Sequence, residues 1–225
     1  MIKTLQDFSD SAETIQLRHL KQTTTDVLRL TIDYDLLAPK KRIFNYPIKI
    51  WDAIMHLGLI HDPTDKQLFA VSQLTHTLQV VSSMLMNNIN DEDLLITAWL
   101  HDIGKLLLLT DEDPSNIVCL NYVIEGELGS GLDNCVCSWN HDEYAYLKFG
   151  HKVSEKCAWL IRYHSLNLKK VQPYLNLEDE QRIENWLKPF MYHDKRSKSI
   201  YNFPQFDYDK HRKMLEKFFP EDLEL

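Results

Sequence analysis

An almost wholly apolar helix that ends in an adjacent histidine and aspartate constrains this chain more than any other stretch. The segment Asn90–Lys105 reads NDEDLLITAWLHDIGK. Asn90 can cap the helix, and the acidic residues that follow it suit the positive end of the helix dipole. The apolar residues in 94–103 leave no continuous polar face, so the helix should be buried on most sides. His101 and Asp102 are then expected inside the protein.

A buried carboxylate beside a buried imidazole needs compensating charge, because an unpaired buried charge costs several kcal/mol. A metal ion would supply that charge at His101 and Asp102. For a lone His-Asp pair, a core histidine hydrogen-bonded to an ordinary aspartate at a helix end would be the better explanation. Further ligands elsewhere in the chain must therefore decide between a metal site and a structural pair.

The composition favours a helical, globular protein and argues against several partners. The 225 residues carry a net charge of −8 and no run of lysine or arginine, which disfavours nucleic acid and anionic membrane surfaces. The chain has no apolar signal segment at its start and no apolar run long enough to span a bilayer, so we expect a cytoplasmic protein. Only 6 glycines favour helices over a sheet rich in turns. We expect a single all-α domain over residues 1–225, present as a monomer.

Loop segments and cysteines complete the expected organisation. The polar, basic segment 38–46 lies between two prolines and is a candidate lid. The segment 115–137 is the longest irregular stretch and should contain at most a short hairpin, and loops of this length are usually functional. The four cysteines form no C-x-x-C pair and are expected to be reduced thiols.

Two segments before and after the apolar helix each place a histidine near a core-facing stripe. A capping box formed by Thr64 and Gln67 predicts a helix whose apolar stripe runs beside His76. In the sequence SWNHDEY, Asn140 can cap a short helix that begins with His141. We therefore add both histidines to the candidate ligands.

Two later segments contribute one further ligand each. Ser154 can cap a helix on which apolar residues recur at helical spacing and continue to His164. A helix that begins near Asn176 carries Asp194 on its apolar face, although Pro189 should kink it. A last amphipathic helix is expected over residues 207–219.

Six inward-facing ligands are too many for one catalytic ion, since such a site uses three or four protein ligands and leaves one position open. Asp102 could instead bridge two ions that the other five residues complete. Imidazole and carboxylate without thiolate suit iron, manganese or zinc. The candidate ligands are His76, His101, Asp102, His141, His164 and Asp194.

The order of these ligands on successive helices resembles the HD-domain superfamily, and longer stretches resemble one branch of it, the myo-inositol oxygenase family. The similar stretches are LTHTLQ, WLHDIGK, SWNHDEY, IRYHS and residues 190–198. SWNHDEY and IRYHS are specific to that branch, whereas HDIGK indicates only the superfamily. With weaker similarity in the N-terminal helices, the resemblance covers nearly the whole chain.

The resemblance implies an HD-domain-like helical bundle with a non-haem di-iron site in the mixed Fe(II)/Fe(III) state. Dioxygen would be the co-substrate, and the reaction would cleave the ring of myo-inositol or a related polyol to a uronic acid. By position, the same six residues are the iron ligands and Asp102 is the bridge. The family's substrate contacts match Lys105, Ser165 and Lys198, and the two lysines would favour the alkoxide of a bound hydroxyl.

Two departures from the family pattern affect the expected substrate contacts. Where the family has an aspartate in the loop after the HD helix, this chain has Asn121, which we expect to contact the substrate. An amide can bond a hydroxyl but cannot balance a cation as a carboxylate does. The family's acidic residue before the first histidine has two candidate counterparts, Asp62 and Asp65.

Three other functions remain open from the sequence. An HD phosphohydrolase would use the same ligands with a metal-bound hydroxide and without a redox change. An HD-type oxygenase could act on a phosphonate. A scaffold protein with an HD fold would bind no metal.

Overall fold

The computed structural model describes residues 10–65, 71–200, 203 and 207–225. Within these ranges the regular structure is helical apart from one short antiparallel hairpin, which confirms the all-α prediction. The α-helices are α1 (Ala12–His19), α2 (Thr24–Asp33), α3 (Ile50–His56), α4 (Gln73–Met86), α5 (Glu92–Leu100), α6 (His141–Phe149), α7 (Glu155–Tyr163), α8 (Leu168–Val171), α9 (Leu177–Arg182), α10 (Lys188–Arg196) and α11 (Tyr208–Phe218). The hairpin pairs β1 (Val123–Glu125) with β2 (Val136–Cys137).

Helix α5 is the buried centre of the bundle, as its apolar sequence predicts. Every residue from Leu94 to Leu100 is buried, and the helix packs against α4 and α7. Its N-cap is Asp91 rather than the predicted Asn90, because the Asp91 carboxylate accepts the backbone N–H of Leu94 at 3.2 Å. After α5 the chain tightens into a 3₁₀ helix, Ile103–Leu109.

The start of α4 differs from the sequence prediction. The helix begins at Gln73, and the Ser72 hydroxyl caps it by accepting the N–H of Thr75. Gln67, the second half of the predicted capping box, lies outside the described residues. The Thr64 hydroxyl instead donates to the Asp62 carboxylate at 2.7 Å.

Three helices in the C-terminal half begin where the sequence predicts. Asn140, Ser154 and Asn176 each accept backbone N–H groups at the starts of α6, α7 and α9. A turn of π-helix, Ile183–Leu187, joins α9 to α10 directly before Pro189. This irregular turn replaces the simple kink that the proline predicts, since proline lacks the N–H that a regular helix would use.

The basic loop 38–46 is anchored rather than free. Lys41 pairs with the buried Glu112 at 2.8 Å, and the backbone N–H groups of Ile43 and Phe44 both donate to the Leu225 carbonyl. This loop contributes no residue to the cavity described below. The structure therefore gives the lid interpretation no support.

One cluster of buried apolar side chains extends from Ile15 in α1 to Leu225 at the other end of the chain. The four cysteines are free and buried, as expected. Among the described residues, no helix combines the length and apolar character that crossing a bilayer requires. The single domain over residues 1–225 and the monomeric state stay predictions.

Candidate metal centre

Asp102 lies at the middle of a group of histidines, and each of its carboxylate oxygens faces a different pair. Oδ2 lies 3.4 Å from His101 Nε2 and 3.8 Å from His76 Nε2. Oδ1 lies 3.2 Å from His141 Nε2 and 3.7 Å from His164 Nε2. A carboxylate between two such pairs can be shared by two cations.

Asp194 completes the side of the cluster that contains His76. Its Oδ1 lies 2.9 Å from His76 Nε2, and α10 brings it there across a distance of more than a hundred residues in sequence. The structure thus brings all six sequence-predicted ligands together from helices α4, α5, α6, α7 and α10 and the turns at their ends.

Gly104 allows the start of α6 to reach the cluster. A Cβ atom at this position would lie 2.1 Å from the backbone oxygen of His141, so any other residue would force the two segments apart. The HDIGK segment therefore needs its glycine for the close approach of a ligand-bearing helix rather than for a turn.

Backbone carbonyls fix the orientation of three of the histidine rings. The Nδ1 atoms of His101, His141 and His164 lie 3.0, 2.6 and 3.1 Å from the carbonyl oxygens of Ala98, Ile117 and Ile161. A carbonyl can only accept, so Nδ1 carries a hydrogen in each of these rings and Nε2 is the nitrogen that faces the cluster. Metal-binding histidines are typically held in this way.

The buried charges of the cluster shift one another's protonation. Burial alone would raise the pKa of Asp102, but the nearby Lys105 ammonium and His101 hold that pKa well below its ordinary value. Burial alone would lower the pKa of His141, but Asp142 and Asp102 raise it to about 10. The carboxylates at this site therefore attract positive charge strongly.

The residues present fit a metal ion. His101 Nε2 is buried and has no hydrogen-bond partner among the described residues, although it points at Asp102. Two groups of side chains have donor atoms within 4.8 Å of one another, and Asp102 belongs to both of them. Leaving a buried polar atom such as His101 Nε2 unpaired is costly in a protein interior, and a cation would satisfy it. The groups are His76, His101 and Asp102, and Asp102, His141 and His164.

A cavity of about 490 Å³ opens onto the cluster, which is within the size range of small-molecule sites. Of the predicted substrate contacts, Lys105, Ser165 and Lys198 line this cavity. Both candidates for the acidic position, Asp62 and Asp65, line it as well. The cavity wall therefore carries charged and hydroxyl groups beside the candidate metal ligands.

Lys105 is buried and joins three acceptors. Its Nζ lies 3.0 Å from Asp62 Oδ2, 3.0 Å from Asp102 Oδ1 and 3.1 Å from Gln73 Oε1. Burial alone would lower the pKa of Lys105, but the carboxylates of Asp102 and Asp62 raise it above the ordinary value. Lys105 therefore carries a permanent positive charge beside the cluster.

Lys198 pairs with Asp65 at the cavity wall, with 2.5 Å between Nζ and Oδ2. The two side chains are about one-fifth exposed, so this pair is more accessible than the one between Lys105 and Asp62. The two candidate acidic residues thus have different partners. Asp62 is connected to the cluster because its partner Lys105 also contacts Asp102.

Asn121 is the one predicted substrate contact that does not line the cavity. Its side chain is wholly buried, where its amide group donates to the Arg162 carbonyl at 3.4 Å and accepts from the Ser138 hydroxyl at 3.3 Å. The preceding residue, Leu120, lines the cavity instead. The loop therefore presents an apolar side chain where we expected an amide.

Sequence reasoning missed Asp142, which lies directly after a candidate ligand and is wholly buried. Its Oδ1 lies 3.0 Å from His141 Nε2, and its Oδ2 accepts from the Ser165 hydroxyl at 2.5 Å. A signal for it was present, since SWNHDEY contains a second adjacent His-Asp pair.

The helical bundle buries imidazole and carboxylate groups beneath a polar cavity, an arrangement that is typical of metal-dependent enzymes. A family model described as myo-inositol oxygenase matches residues 9–126 and 121–225. The two matches together cover nearly the whole chain, so the protein belongs to the myo-inositol oxygenase family.

Similar proteins carry corresponding names. The chain is 29% identical to the probable inositol oxygenase of Oryza sativa subsp. japonica, over 96% of this chain and 82% of that protein. It is 27% identical to inositol oxygenase 4 of Arabidopsis thaliana, over 94% of this chain and 77% of that protein. The inositol oxygenase of Dictyostelium discoideum is 24% identical over 84% of this chain and 81% of its own length.

Proposed function

We propose that this protein is a di-iron oxygenase that uses dioxygen to cleave the carbon ring of myo-inositol to a uronic acid. One ring carbon–carbon bond breaks, and dioxygen accepts the electrons that the substrate releases. One oxygen atom enters the new carboxylate and the other leaves as water. Membership of the myo-inositol oxygenase family supports this reaction.

The division of ligands around Asp102 is the observation that carries the proposal of two ions. His76, His101 and Asp194 would hold one iron, and His141 and His164 would hold the other. Asp102 would serve both, because each of its oxygens already faces one group. Iron bound there in the mixed Fe(II)/Fe(III) state would supply the redox chemistry that dioxygen activation requires.

The substrate-side residues would bind and orient the polyol. Lys105 places its charge beside Asp102 and would stabilise negative charge on a substrate oxygen. Lys198 would contact a second hydroxyl. The ammonium group of Lys198 would then be shared between that hydroxyl and Asp65. Ser165 lines the cavity directly after His164 and would bond a third hydroxyl.

Metal analysis and dioxygen uptake test this function. Protein from iron-replete cells should contain close to two irons per chain, and a tightly bound single zinc would contradict the ligand assignment. Iron-loaded protein should consume dioxygen with myo-inositol and form a uronic acid. A panel of other cyclitols, acyclic polyols and phosphonates serves as the comparison. Anaerobic release of phosphate from phosphoesters, without dioxygen uptake, would favour a phosphohydrolase instead.

A further inference from the structure

The second His-Asp pair of the chain belongs to a hydrogen-bond chain that ends in the cavity. This series of hydrogen bonds joins Asn140 to Ser165 and Ser165 to Asp142. Ser165 Oγ lies 2.5 Å from Asp142 Oδ2 and 3.2 Å from Asn140 Nδ2. Asn140 and Asp142 are wholly buried, whereas Ser165 lines the cavity.

The backbone of α6 fixes the direction of every hydrogen bond in this chain. The Asn140 side-chain oxygen accepts the N–H groups of Asp142 and Glu143 as the helix cap. Its NH₂ group therefore points the other way and donates to Ser165 Oγ and to the Cys119 carbonyl. Ser165 then has to donate its own hydrogen to the Asp142 carboxylate, which can only accept.

Ser165 is left with a single free function toward the cavity. A serine hydroxyl has one hydrogen and two lone pairs. The hydrogen is directed to Asp142 and one lone pair receives the Asn140 N–H. The remaining lone pair can accept a hydrogen bond from a substrate hydroxyl, but the serine has no hydrogen left to donate.

We propose that Asp142 is a positioning residue that fixes Ser165 as a hydrogen-bond acceptor, so that the site requires a free O–H group on the substrate carbon that faces Ser165. This inference rests on the proposed function, because it concerns recognition of the same polyol. A hydrogen-bonding site rejects an analogue that leaves a buried polar group unpaired. A substituent that accepts but cannot donate would meet the lone pair of Ser165 and be disfavoured.

Analogues of myo-inositol with fluorine in place of one hydroxyl test the requirement, since fluorine has nearly the size of a hydroxyl and cannot donate. Wild-type protein should disfavour at least one of these regioisomers by roughly tenfold to a hundredfold relative to myo-inositol. The readouts are kcat/KM from dioxygen uptake and Kd from anaerobic calorimetry. Iron content is measured for each variant.

Asp142→Asn should reduce that preference by about tenfold when samples of equal iron content are compared, because the new amide can donate to Ser165 and release its hydrogen toward the cavity. Ser165→Ala should remove the preference, and it keeps the test valid if Asp142→Asn does not fold. Glu143→Gln is the matched control, since Glu143 lies next on α6 and pairs with Arg162 at 2.8 Å, outside the cavity. This control should keep the wild-type preference.

Two results would overturn the inference. One is discrimination against the fluorinated analogue that stays at the wild-type level in Asp142→Asn or in Ser165→Ala. The other is equal relaxation in Glu143→Gln, which would indicate general loosening of α6. The Kd ratios test the inference even without turnover, whereas absence of dioxygen uptake by wild-type protein with every polyol contradicts the proposed function.

Discussion

Replacing Lys105 with methionine should destabilise the protein more than a core substitution that conserves both volume and charge. Methionine has nearly the length of lysine and fits the same space, so the change mainly removes the charge. The Nζ atom lies 3.0 Å from both Asp62 Oδ2 and Asp102 Oδ1, and these side chains are buried. Lys105→Met therefore leaves two buried carboxylates without their shared cation.

The structure sets the expected size of the effect. Breaking a buried ion pair by removing one partner costs about 3 to 5 kcal/mol. Asp62 keeps hydrogen bonds from the Thr64 backbone N–H at 2.8 Å and the Thr64 hydroxyl at 2.7 Å, which favours the lower end of that range. Adding Asp62→Asn to Lys105→Met removes one unpaired carboxylate and should restore about 1 to 2 kcal/mol.

Urea unfolding followed by circular dichroism, with chelator present, measures these free energies. The single variant Asp62→Asn is the control, since Lys105 keeps Asp102 and Gln73 as partners in that protein. Iron should recover part of the loss in Lys105→Met, because it would again neutralise Asp102. A loss below about 1 kcal/mol, or no recovery in the double variant, would refute the electrostatic reasoning.

Three further predictions concern other parts of the molecule. His164→Ala should stay folded but bind iron more than about 100-fold more weakly, since it removes one ligand, and metal analysis with circular dichroism checks both effects. Asn121→Asp should cost about 2 to 4 kcal/mol in urea unfolding, because a carboxylate would face the Arg162 carbonyl. The ratios of kcat/KM among inositol isomers should not change, and a changed ratio at unchanged stability would place residue 121 in the substrate site. Burial alone would raise the pKa of Glu112, but its hydrogen bonds from Lys41 and others lower it. Its stabilising effect is thus present above pH 4.5 or so and is lost as the pH falls, so the difference in urea midpoint between wild type and Glu112→Gln should shrink below that pH.

The helices and the inward positions of the candidate ligands could be predicted because both depend on local patterns. The caps at Asn140, Ser154 and Asn176 are short-range hydrogen bonds that the sequence contains in full. The stripe that ends at His164 repeats at the helical period, which places that side chain on the buried face. A buried helix that ends in two ionisable residues requires compensating charge or hydrogen bonds for both of them.

Contacts that depend on the packing of distant segments could not be predicted. The side chain of Asn121 turns away from the cavity because the Arg162 carbonyl and the Ser138 hydroxyl, far along the chain, satisfy its amide. The composition of the loop 38–46 made it a candidate lid, but Glu112 and the Leu225 carbonyl anchor it. Periodicity and capping carry no information about such partners.

The two His-Asp pairs show why the same dipeptide has different roles at the two ends of a helix. Consecutive residues on an α-helix point about 100° apart, so the two members of a pair within a regular helix reach their neighbours from different directions. His101 and Asp102 follow the last turn of α5, where the backbone of Asp102 leaves helical geometry at φ −98° and ψ 5°. Both side chains can then turn inward. His141 and Asp142 lie in the first regular turn of α6, where His141 faces Asp102 and Asp142 places one carboxylate oxygen beside His141 Nε2 and the other on Ser165. The position of each pair relative to its helix end therefore decides which side chains each aspartate contacts.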